Sequence, residues 1–138
     1  MRKKILVVDD NTELVDLLRL HLKGEGFAVA TATDGIEALR KARSVSPDLV
    51  VLDLGLPELD GLAVYETMRS TPAIASIPIL IVTGLPDGLA RYEGLHQDHC
   101  EFVSKPVNPR YLIMRIKELL RRTRASKASG GEKPKLRR

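Results

Sequence analysis

Leu49-Val50-Val51-Leu52-Asp53-Leu54-Gly55-Leu56-Pro57-Glu58-Leu59-Asp60-Gly61 is the stretch that decides the fold. Pro47 announces it, and an unbroken apolar run ends abruptly on a carboxylate, as a strand buried on both faces does. Asp60-Gly61 then opens a helix, read as Gly61 to Arg69, because aspartate can accept the free N–H groups of a first helical turn. Such a strand fits a parallel sheet, whose strands are joined by crossovers that are usually helices.

The same grammar repeats outward. Ile5-Leu6-Val7-Val8 is an apolar run stopped by Asp9-Asp10. Leu14, Leu17, Leu18 and Leu22 follow at helical spacing and predict a helix from Thr12 to Lys23, ended by Gly24 and Gly26. Phe27 to Ala32 reads as a second strand, and Gly35 to Val45 as a helix with Ile36, Leu39 and Ala42 inward. A fourth strand spans Ile79 to Thr83 after Pro78. A helix over Leu89 to Leu95 and a short strand over Glu101 to Val103 come next. The last helix starts at Asn108-Pro109, a capping residue followed by proline at the first helical position. It continues through Leu112, Ile116, Leu119 and Leu120. Asp34-Gly35, Asp60-Gly61 and Asp87-Gly88 lie 26 and 27 residues apart, each before a predicted helix, and read as three structural caps. Five strands alternating with five helices predict a doubly wound α/β fold, with a parallel sheet covered on both faces.

Composition bounds the function. A chain of 138 residues, 43% hydrophobic and 29% charged, is that of one ordinary globular domain. Its apolar runs are too short to cross a bilayer, and the basic start Met1-Arg2-Lys3-Lys4 leads into no export signal. The single cysteine, Cys100, excludes an internal disulfide and fits a reducing compartment, so a cytoplasmic location is expected. Of the 22 basic and 18 acidic residues, eight and one lie in 121–138, leaving 14 and 17 for residues 1–120. The body is thus mildly acidic at −3, and the net +4 comes from a tail at +7. Nucleic-acid binding by residues 1–122 is therefore not expected. Residues 123–138, with Ser126, Ser129, Gly130, Gly131 and Pro134, read as a basic flexible tail or linker.

Ligands of such sheets bind beyond the carboxyl ends of the strands. Asp9 and Asp10 end the first strand, Asp53 the third and Thr83 the fourth, and Lys105 follows the fifth. All five should converge. Three clustered carboxylates repel one another, and a hard divalent cation, Mg2+, is the usual remedy. Lys105 could then pair with the oxygens of an incoming phosphate, Thr83 could donate a hydrogen bond, and a carboxylate nucleophile would give an acyl phosphate.

These residues resemble the receiver domains of bacterial two-component response regulators, over residues 3 to about 122. The matching pattern is Asp9-Asp10, Asp53 to Gly61 as Asp-x-x-Leu-Pro-x-x-Asp-Gly, Thr83, and Lys105-Pro106. The resemblance implies a flavodoxin-like strand order 2-1-3-4-5 and a phosphorylation-dependent switch rather than a metabolic enzyme. It implies Asp53 as phosphoacceptor, with Asp10 a direct metal ligand, Asp9 assisting through water, and the Gly55 backbone carbonyl completing the site. Thr83 and Lys105 would contact the phosphoryl group, and the bond to Pro106 would be cis. The implied donor is a sensor histidine kinase or phosphotransfer protein. The implied target is an output partner or domain, reached through the face of the fourth helix, fifth strand and fifth helix, which could also form a homodimer.

Phe102 matches the family's switching aromatic without its common hydroxyl, and reads equally as core packing. Gly55 and Leu85 offer no polar group to position an attacking water, so a bound phosphoryl group is expected to be lost slowly. A nucleotide-binding enzyme is disfavoured because no Gly-rich turn follows the first strand. An aspartate-nucleophile hydrolase would carry a second aspartate where Gly55 stands. A receiver-like interaction module that no longer switches is the remaining alternative. His96-Gln97-Asp98-His99-Cys100 invites a transition-metal reading but lacks a second ligand cluster, and a polar loop is the default.

Overall fold

The computed structural model describes residues 2–95 and 99–128, with residues 125–128 as backbone. Ten elements alternate along the chain: β1 (Lys4–Val8), α1 (Thr12–Gly24), β2 (Ala28–Ala32), α2 (Gly35–Val45), β3 (Leu49–Asp53), α3 (Gly61–Arg69), β4 (Ile79–Thr83), α4 (Gly88–Glu93), β5 (Cys100–Ser104) and α5 (Pro109–Ala128). The sheet runs β2-β1-β3-β4-β5, parallel throughout.

Alternation along each strand divides the core in two. Leu6, Val8, Val50, Leu52, Ile79 and Ile81 pack with Ala38, Ala42, Val64 and Met68 of α2 and α3. Ile5, Val7, Leu49, Val51, Leu80 and Val82 pack with Leu18, Leu22, Leu112 and Ile116 of α1 and α5. The continuous apolar strands follow from that, since both faces of the sheet are dry.

Register positions the strand ends. Val8 pairs with Leu52, Asp53 with Val82, and Thr83 with Ser104, so the residues leaving β1, β3, β4 and β5 emerge along one edge.

Several sequence expectations need correction. Leu17 is 42% exposed, and Val15 takes its inward place with Leu18 and Leu22. Ile36 is 62% exposed, and Ala38 packs inward with Ala42. The cause is Gly35, where a Cβ would sit 2.6 Å from the Leu59 carbonyl oxygen; the first turn of α2 lies against that loop and turns Ile36 outward. Asp34 and Asp60 cap as expected, bonding Glu37 N–H and Leu62 N–H at 2.8 Å. Asp87 makes no cap hydrogen bond; its carboxylate pairs with Arg91 at 3.3 Å. Asn108 accepts the N–H groups of Arg110 and Tyr111. Strand β5 is longer than expected, and α4 ends at Glu93 rather than Leu95. Helix α5 passes residue 122 to Ala128, and Thr123 is 6% exposed with its hydroxyl bonded to the Leu119 carbonyl. The tail therefore does not begin at residue 123. Three successive residues of His96–Cys100 lie outside the described residues, so that metal reading is untested.

Candidate functional site

Each strand ends where its apolar run ends, and the next side chain faces the same edge. Asp9 is 3% exposed, with Oδ1 accepting the Asn11 N–H at 2.9 Å. Asn11 in turn caps α1 through Glu13 N–H and Leu14 N–H, which holds the turn after β1. Asp53 is 5% exposed, and its Oδ1 accepts the Gly55 N–H at 3.0 Å. Asp10 is exposed. The carboxylates of Asp9, Asp10 and Asp53 each bring an oxygen within 4.8 Å of the others. Lys105 Nζ reaches into the cluster, 2.9 Å from Asp9 Oδ2 and 3.4 Å from Asp53 Oδ2. One ammonium against three carboxylates leaves an excess of negative charge. Three convergent hard oxygens with that excess fit a divalent cation such as magnesium.

Burial pushes the Asp53 carboxyl above the usual carboxylate range, and the Asp9 charge adds to it; the Gly55 N–H and Lys105 oppose the shift. For Lys105, burial alone would lower the ammonium pKa. The Asp9 hydrogen bond and the two carboxylates outweigh it, so the net shift is upward and the charge is secure.

Thr83 is buried, and its Oγ1 accepts the Leu85 N–H at 3.2 Å. The Lys105-Pro106 bond is cis, as expected. Two glycines make the edge possible. A Cβ on Gly61 would collide with the Asp53 carbonyl oxygen and stand 2.6 Å from Leu54 Cα, so the loop returns against its own strand there. A Cβ on Gly84 would meet Lys105 Cβ at 3.3 Å. Phe102 is half-buried and packs on Tyr92, with ring centroids 5.3 Å apart.

Of the strand-end residues picked from sequence, Asp9, Asp10, Asp53 and Lys105 come together, and Thr83 is their neighbour through its carbonyl, which accepts the Lys105 N–H at 3.0 Å. Sequence reasoning missed three participants. Asn11 anchors the turn after β1, and its signal was a capping residue directly before the first helix. Gly88 lies against the Thr83 methyl, where a Cβ would collide. Arg91 reaches Asp60 across the fold at 3.7 Å, and no local pattern marks that pair.

The family model for the response regulator receiver domain matches residues 5–117. The chain belongs to the response-regulator receiver family. It is 42% identical over 123 residues to the alkaline phosphatase synthesis transcriptional regulatory protein PhoP of Bacillus subtilis, covering 89% of this chain and 50% of that one. Against the DNA-binding response regulator MtrA of Mycobacterium tuberculosis H37Rv, identity is 39% over 122 residues, with coverage of 88% and 52%. The chain thus spans about half the length of these relatives. Among solved structures, a CheY-like receiver domain protein from Methanospirillum hungatei superposes with a TM-score of 0.80 at 28% identity, covering 91% of this chain and 99% of that one. Chemotaxis response regulator CheY4 of Vibrio cholerae gives a TM-score of 0.77 at 27% identity, with coverage of 86% and 99%. Receiver domains of this family are regulatory, phosphorylation-dependent signalling switches. No described helix is long and apolar enough to cross a membrane.

Proposed function

We propose that Asp53 is the phosphoacceptor of this receiver, taking a phosphoryl group from a sensor histidine kinase or phosphotransfer protein in the cytoplasm. The observation that carries the reading is the buried Asp53 carboxylate, flanked by Asp9 and Asp10 and contacted by Lys105. An Asp53 oxygen attacks phosphorus, the bond from phosphorus to the donor breaks, and an acyl phosphate remains. Lys105 exchanges its Asp53 contact for a phosphoryl oxygen while keeping Asp9. Asp9, Asp10, Asp53 and the Gly55 carbonyl would hold Mg2+, which supplies positive charge beside the phosphoryl oxygens. Thr83 donates its hydroxyl to the phosphoryl group, and Phe102 carries the change to the face formed by α4, β5 and α5.

That face would regulate an output partner, a second copy of the chain, or a domain beyond α5. The last option gains support from PhoP and MtrA, which run to about twice the matched length. On this reading the receiver ends with α5 and the remaining basic residues form a linker. Leu85 lies close to Gly55, its Cδ2 3.5 Å from where a Gly55 Cβ would stand. An apolar side chain there positions no attacking water, so the acyl phosphate should be long-lived.

Intact mass after incubation with acetyl phosphate and magnesium tests the assignment. Wild type should gain one phosphoryl group and Asp53→Asn none. Uptake by neither protein would favour an interaction module without a switch, and uptake by both would move the acceptor elsewhere.

A further inference from the structure

Helix α4 has six residues, too few to be stable without outside contacts. Three such contacts come from side chains on the switching side of the molecule. Gly88 presses on the Thr83 methyl. Tyr92 packs on Phe102 and donates its hydroxyl to the Cys100 carbonyl at 3.4 Å. Arg91 lies between two carboxylates, Nε 3.3 Å from Asp87 Oδ2 and Nη1 3.7 Å from Asp60 Oδ2.

The Asp60 pair differs in kind from the others, because it joins α4 to the loop that follows Asp53. Asp60 is held by its Oδ1 bond to Leu62 N–H, and the loop is tied back to its strand by Gly61 N–H on the Leu54 carbonyl at 3.1 Å. Arg91 therefore grips a fixed point. We propose that Arg91 is a positioning residue that latches α4 to the phosphoacceptor loop, and that the latch loosens when Thr83 turns toward a phosphoryl group on Asp53. This rests on the roles of Asp53 and Thr83 proposed above.

Gly88 connects Thr83 to α4. The Thr83 methyl fills the space in which a Gly88 Cβ would stand, so turning the Thr83 side chain about its Cα–Cβ bond removes the contact against which the first turn of α4 rests. Loss of that contact frees the first turn of α4 to shift, and Arg91 sits one turn further along. Linkage gives the sign: whatever weakens the Arg91–Asp60 pair favours the arrangement with Thr83 turned. A half-exposed ion pair at this distance is worth about a two- to fivefold change in that equilibrium.

Beryllofluoride, a phosphoryl mimic, tests the latch with magnesium present. Its affinity is measured for wild type, Arg91→Ala, Arg91→Gln and Arg91→Lys, with circular dichroism to check folding. Arg91→Ala and Arg91→Gln should bind it about two- to fivefold more tightly than wild type, with Arg91→Lys in between. A purely structural loss would weaken binding instead, so tightening is diagnostic. Equal or weaker binding by the folded variants, with wild type binding, overturns the latch alone. Should neither neutral variant fold, Arg91→Lys decides by the same criterion. A wild type that binds no beryllofluoride overturns the reading of Asp53 together with the latch.

Discussion

At the residue scale, Asp53 combines burial with a nearby like charge, and this has a measurable cost. Its folded pKa is raised, so folding favours the protonated form. Stability from that source is present as pH falls through the raised value, and above it the ionised carboxylate is a penalty. Asp53→Asn removes the titration while Lys105 keeps its 2.9 Å partner Asp9. Without magnesium the variant should be more stable than wild type near neutral pH by about 1 kcal/mol, the size of an ordinary single-site effect, and so unfold at a higher temperature. The gap should narrow on acidification; thermal melts across pH read it. A gap independent of pH would mean that the carboxylate is not the cause. Asp53 itself was legible in sequence as the polar stop of an apolar run. Its meeting with Lys105 was expected as well, but that the ammonium lies closer to Asp9, at 2.9 Å, than to Asp53, at 3.4 Å, was not, because side-chain packing at the strand ends decides it.

Helices show where sequence pattern fails at the element scale. Leucines at 14, 17, 18 and 22 suggested the inward face of α1, yet Val15 lies inside and Leu17 does not. Hydrophobic identity marks a stripe only to within a residue, and packing against the sheet selects its centre. For α5 the error was one of length. The basic, Ser- and Gly-rich composition of 123–138 made the segment look like tail, but α5 runs to Ala128 and Thr123 turns inward to the Leu119 carbonyl. Truncation after residue 122 should therefore lower stability relative to truncation after residue 128, by about 1 kcal/mol or more for the lost buried group and the shortened helix. Urea unfolding of the two truncated chains checks this, and coincident curves would return Thr123 to the tail.

For the whole molecule, the acidic edge is a concentration of charge that folding creates and a cation can relieve. If Asp9, Asp10 and Asp53 hold magnesium, the folded state alone binds it well, and stability must rise with its concentration. At about 100-fold excess over its dissociation constant the gain should be about 2.7 kcal/mol. Thermal melts over a magnesium series read this directly, and Asp10→Asn should lose most of the gain while leaving the fold intact. A midpoint indifferent to magnesium would remove the metal from the proposal. Asp10 suits this test because it is exposed and takes no part in the core.

The order of the ten elements, the buried character of β1, β3 and β4, and the five strand-end residues were written in the sequence. Their signals are local: an apolar run, its polar stop, a proline before a strand, a capping residue before a helix. The inward face of α1, the failed cap at Asp87, the continuation of α5 and the contacts of Gly88 and Arg91 were decided only by tertiary structure. Each depends on which distant backbone or charge lies opposite, and short-range spacing carries no record of that.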